Sequence, residues 1–131
     1  MIRLDKGLIP SIIVNPDDAV IAGFLDVPAR RCVIALATAC VYEKTILNGV
    51  RIEVSAWSDL SIAVYHEGNS VHLNALHHEP SDICEFEQGE KEISLAGFLR
   101  EAQGWYRLVF RDPNISVEYL SEEKCIPQTL P

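Results

Sequence analysis

Apolar and polar residues alternate with a period of two through most of this chain, and that spacing predicts β-strands. Val20, Ala22 and Phe24 alternate with Ile21, Gly23 and Leu25 in a strand that is apolar on both faces and ends near Asp26-Val27-Pro28. Arg31 to Tyr42 reads as a second strand, with Val33, Ala35, Ala37, Ala39 and Val41 opposed by Cys32, Ile34, Leu36, Thr38 and Cys40. Alanine favours helix, but the β-branched content and the lack of a polar stripe point to a strand buried on both sides. Asn48-Gly49 is a strong turn dipeptide, and it predicts a hairpin or bulged bend between Thr45-Leu47 and Val50-Ala56. Ile52 and Val54 alternate there with Arg51, Glu53 and Ser55, which gives that strand one wet face. Leu60 to Tyr65 is the next strand. It turns at Glu67-Gly68-Asn69 into Val71, Leu73 and Ala75, which alternate with His72, Asn74 and Leu76.

The last part of the chain carries four strand patterns: Ile83 to Glu87, Glu92 to Phe98, Trp105 to Phe110 and Ile115 to Leu120. Their connections, Gln88-Gly89-Glu90, Leu99 to Gly104 and Asp112-Pro113-Asn114, are short, as in an antiparallel meander. Tyr106, Leu108 and Phe110 form an apolar row opposed by Trp105, Arg107, Val109 and Arg111; Ile93 and Leu95 share a face, as do Ile115, Val117 and Tyr119. The predicted fold is all-β: an antiparallel β-sandwich or strongly bent sheet with a C-terminal four-strand meander. Residues 1–120 form one β-rich domain, with Met1 to Asn15 as strand or extended arm. Residues 121–131, with two prolines and no periodicity, read as a loose tail.

Composition narrows the class. At 131 residues and 48% apolar content the chain supports one ordinary core and is too apolar for intrinsic disorder. The longest apolar run, Cys32 to Tyr42, falls well short of the ~20 residues that span a bilayer. The first ten residues hold an acidic residue and a proline where a secretion signal has a basic start and an unbroken apolar stretch, so a cytoplasmic location is expected. The net charge of −8 is uneven, −1 over residues 1–65 and −7 over residues 66–131. Acidic strand faces disfavour nucleic acid and favour a basic protein partner.

Candidate chemistry is sparse. Cys32, Cys40, Cys84 and Cys125 contain no Cys-x-x-Cys pair, and their expected state is reduced thiols packed as small hydrophobes. His66, His72, His77 and His78 lie close in sequence beside Glu67, Glu79, Asp82 and Cys84, which raises a zinc or iron site. The spacing argues against it. His77 and His78 are adjacent and would point to opposite faces of a strand, and no His-x-His pair occurs. Cys84 sits among acids that raise a thiol's pKa, so it is a poor nucleophile. Asp17-Asp18 and Glu85/Glu87 read as solvated charge rather than catalytic carboxylate pairs, and no nucleophile elbow or cofactor-binding glycine pattern occurs. No cofactor is expected. What remains is the acidic row: Glu85 and Glu87 share a parity, Glu90 and Glu92 flank the next turn, and Arg107 and Arg111 lie on a strand able to reach them. Tyr65, Trp57, Trp105 and Tyr106 are the aromatics that would anchor an interface there. Trp105 is the strongest, because Tyr106 falls on the apolar parity.

The segments Ile93-Ser94-Leu95-Ala96-Gly97-Phe98 and Gly104-Trp105-Tyr106-Arg107-Leu108-Val109-Phe110 resemble the "Gly-Phe … Gly-Trp" hairpin of small bacterial immunity proteins of polymorphic and contact-dependent toxin systems. The resemblance covers roughly Ile83 to Tyr119. It implies a non-enzymatic, acidic protein that plugs a cognate toxin's active site, and it carries over no contact residues, since these proteins vary most at that surface.

The expected function is therefore binding. An acidic strand face, with Glu85, Glu87, Glu90, Glu92 and Trp105 as contacts, would meet a basic toxin domain, a nuclease by charge mimicry. The alternatives are a metal-dependent β-barrel or sandwich enzyme using His66, His72, His77 and His78, and a homo-oligomeric structural domain that pairs exposed strand edges.

Overall fold

The longest pairing in the molecule is a hairpin of two eleven-residue strands, β4 (Arg31–Val41) and β5 (Thr45–Ser55), in register from Arg31 opposite Ser55 to Val41 opposite Thr45. The structure, a computed structural model, describes residues 1–14, 20–42 and 44–124, without the side chains of residues 20–24 and 102. Before the hairpin come β1 (Ile2–Arg3), a 3-10 turn (Lys6–Ser11), β2 (Ile12–Ile13) and β3 (Val20–Asp26). After it come β6 (Asp59–His66), β7 (Asn69–Leu73), β8 (Glu85–Gln88), β9 (Glu92–Phe98), β10 (Trp105–Arg111), β11 (Asn114–Tyr119) and β12 (Ser121–Lys124).

Among the described residues these strands make two antiparallel sheets, an all-β sandwich. The first sheet runs β1-β11-β5-β4-β2, with β12 also on β5 and β3 also on β4; the second runs β7-β6-β10-β9-β8. The core lies between the sheets. Cys32, Ile34 and Leu36 of β4 and Val50, Ile52 and Val54 of β5 are buried from one side, and Ile62, Ile93, Leu95, Tyr106, Leu108 and Phe110 from the other. The chain changes sheets twice, at Ala56–Ser58 and at Asp112-Pro113. The two crossings are tied together by the Ser58 N–H donating to Arg111 O at 2.9 Å. Trp57, 2% exposed, sits in the first crossing with its ring 4.8 Å from that of Phe110.

Four expectations need correction. The Asn48-Gly49 dipeptide does not end a strand: it lies inside β5, whose two edges are both occupied by neighbours. Gly49 keeps the left-handed conformation, at φ 64°, and there the burial phase shifts from Val50 to Leu47, and from Leu36 to Ala39 on β4. β4 buries one face, not two; Val33 and Ala35 are half-buried and Ala37 is exposed, because the outer side of the first sheet is uncovered. The meander has three strands, β8-β9-β10, since β11 leaves for the first sheet. Ser121–Lys124 is strand rather than tail, continuing the β11 register along β5 past Leu120. The rest of the expected tail, with Cys125, Asp17-Asp18 and the two-faced pattern of Val20–Phe24, lies outside the described residues or side chains. No described helix is long and apolar enough to cross a membrane.

Candidate functional site

Strand alternation splits the second sheet into a core face and an outer face. Because Tyr106, Leu108 and Phe110 point inward, Trp105, Arg107, Val109 and Arg111 must point outward. Register then assembles the outer face row by row. One row is Phe98, Trp105, Tyr65 and Ser70; the next is Glu85, Ala96, Arg107, Ala63 and His72. Glu87, Ser94, Val109 and Ser61 form a third, and Glu92, Arg111 and Asp59 a fourth.

The first row is aromatic and open to solvent. Phe98 is 54% and Tyr65 42% exposed, and the Phe98 and Trp105 rings meet edge to face with centroids 4.9 Å apart. Ala96 and Ala63, both buried, flank Arg107. Small side chains beside it leave room for the guanidinium to lie along the sheet, where its Nη2 donates to Glu85 Oε2 at 2.8 Å. Arg111 and Glu92 are 3.6 Å apart. These pairs are partly exposed and contribute about 0.2–1 kcal/mol each. Two of the four candidate glutamates are thus half-neutralised by their own sheet, while Glu87 and Glu90 are exposed with no ion-pair partner among the described residues.

The structure brings Glu85, Glu87, Glu92 and Trp105 onto this one face; Glu90 stands beside it in the β8–β9 turn, closed by Gly89 N–H to Glu92 O at 2.7 Å. Trp57 and Tyr106, named as possible anchors, are core residues. Phe98 was not among the expected anchors; its shared parity with Glu92 and Ser94 marked its face, but the pairing to Trp105 follows only from register.

The histidines are dispersed. His66 ends β6, His72 lies on the outer face of β7, and His77 and His78 sit in the connection to β8. Among the described residues, no group of three His, Cys, Asp or Glu side chains is placed to hold a metal ion. The connection itself, residues 74–84, crosses from one edge of the second sheet to the other and is pinned to β9. Asp82 accepts the Phe98 N–H through Oδ1 at 2.9 Å, its carbonyl accepts the Tyr106 hydroxyl at 2.8 Å, and Cys84 N–H donates to Ala96 O at 2.8 Å. Burial first, then the Asp82 hydrogen bond and the charges of Asp82 and Glu85, push the Cys84 thiol up to about 11. Burial alone pushes Cys32 up to about 12. Neither thiol is activated for nucleophilic chemistry.

No protein-family model matches the chain, and no curated protein or solved structure matches it.

Proposed function

We propose that this chain is a non-enzymatic binding protein that lays the outer face of its five-stranded sheet against a basic protein, neutralising it as immunity proteins neutralise toxin domains. The observation that carries the reading is one uncovered face that bears the aromatic row of Phe98, Trp105 and Tyr65 at one end and Glu85, Glu87 and Glu92 in the successive rows after it. Interfaces draw most of their energy from a few aromatic and arginine anchors, and Trp105 and Arg107 are successive outward residues of β10, the middle strand of this sheet. Charge supports a basic partner: the chain carries −8 overall, −7 of it over residues 66–131, which supply most of this face. Positioning by strands rather than loops makes the face rigid, which lowers the ordering cost of binding.

The test is capture from lysate of the native cell at low salt, with wild-type protein and a Phe98→Ala/Trp105→Ala double variant run in parallel. A basic protein retained stoichiometrically by the wild type and lost by the variant supports the reading. Equal retention by both removes the outer face from the account.

A further inference from the structure

Between the sheets lies a cavity of about 200 Å³, separate from the outer face and reached from the crossing connection. Leu25, Ile34, Ile83, Leu95 and Leu108 supply apolar walls, with the Cys32 thiol among them. Its rim is different in kind: Leu76, His77, His78 and Glu79 border it. A closed apolar cavity of about 150 Å³ stays dry and takes up a six-carbon ring, so this volume suits an apolar body slightly larger than that. The rim decides the head group. The Glu79 carboxylate is engaged by Arg100, Nε to Oε2 at 3.4 Å, and no lysine or arginine borders the cavity. The Tyr106 hydroxyl, which also lines the cavity, already donates its proton to the Asp82 carbonyl, so the two exposed imidazoles are the side-chain N–H donors left to meet a ligand, and each can donate to an anionic oxygen.

We propose that this cavity binds a small monocarboxylic acid with an apolar body of about six to eight carbons, the body between the sheets and the carboxylate at His77 and His78. The strap that carries the histidines is held from the far side of β9 by Asp82 and Cys84, so the imidazoles are presented by an anchored segment. Two of the four histidines read from the sequence, His77 and His78, thus gain a role without a metal. The site is on the core side of strands whose other side forms the docking face, so either assignment can fail without the other.

Titration of the full chain with hexanoate, octanoate and 1-octanol, followed by methyl NMR, tests this. Octanoate should shift the Ile34, Leu95 and Leu108 methyls saturably and bind tighter than hexanoate by about fourfold per added methylene. His77→Ala/His78→Ala should weaken octanoate several-fold and leave 1-octanol unchanged. Leu108→Phe fills the cavity from the core, and Leu76→Trp blocks it from the rim without disturbing the sheets; a dispersed amide spectrum checks each fold. Either blocked variant should lose both ligands. Absence of saturable shifts, or shifts that persist in Leu76→Trp, overturns the site. Equal losses of octanoate and octanol in the histidine variant overturn the carboxylate assignment.

Discussion

Phe98 and Trp105 stand opposite each other on β9 and β10, ring edge against ring face with centroids 4.9 Å apart, on the solvent side of the sheet. An aromatic pair of this geometry contributes about 0.5–1.5 kcal/mol beyond its area, and exposure of Phe98 keeps the total modest. Trp105→Ala is expected to cost the fold about 1 kcal/mol in urea unfolding. A loss of several kcal/mol would show that Trp105 serves the core and not the surface.

Gly97 offers a second test because it allows a close backbone approach. A Cβ there would run into the Asp82 carbonyl oxygen, the same oxygen that accepts the Tyr106 hydroxyl. Gly97→Ala should therefore lift the 74–84 connection off β9 and lower stability by about 1–3 kcal/mol. Hydrogen exchange should show faster exchange at Phe98 and Cys84, whose N–H groups are held there, and little change in the β4–β5 hairpin.

High pH should weaken the fold. Cys32 is raised to about 12 and Cys84 to about 11, against an ordinary value of 9.0, so the folded state holds these protons more tightly than the unfolded chain. Their contribution is fully present below pH 9 and is lost as pH rises through 9 toward 11 and 12. Unfolding free energy at pH 10.5 should fall below that at pH 8 in matched salt, and the fall should be smaller in Cys32→Ala.

Much of this architecture was legible from alternation alone. The outward parity of Trp105, Arg107 and Arg111 and the inward parity of Tyr106, Leu108 and Phe110 follow directly from strand geometry, and the structure keeps both. What alternation could not supply was which strands adjoin. Asn48-Gly49 has the chemistry of a turn, yet β5 runs through it because β4 on one side and β11–β12 on the other satisfy its backbone along its length. Trp57 is named from the sequence among the interface anchors, but the chain crosses between sheets there and carries the indole inward. Phe98 closes the aromatic row only once β9 and β10 are in register. The cavity is likewise a product of tertiary assembly, joining Leu25 and Ile34 of one sheet to Leu95 and Leu108 of the other.

Charge on the docking face should act on association more than on residence. Replacing Glu85, Glu87, Glu90 and Glu92 with glutamine is expected to slow association with a basic partner by tenfold or more at low salt, on the order of the steering effect of such fields. It should also flatten the salt dependence. Arg107 and Arg111 lose their ion-pair partners in that variant, so a thermal melt should accompany it; the change should be small, since the pairs are exposed.

The most direct measurement compares the two outer faces of the sandwich in one binding assay against the captured partner. Trp105→Ala alters the five-stranded sheet, while Glu53→Gln/Glu118→Gln alters the outer side of the other, where those residues pair with Arg31 and Arg3. The account predicts at least a tenfold rise in Kd for Trp105→Ala and less than a twofold change for the double glutamine variant. The reverse order, or equal effects, would contradict it.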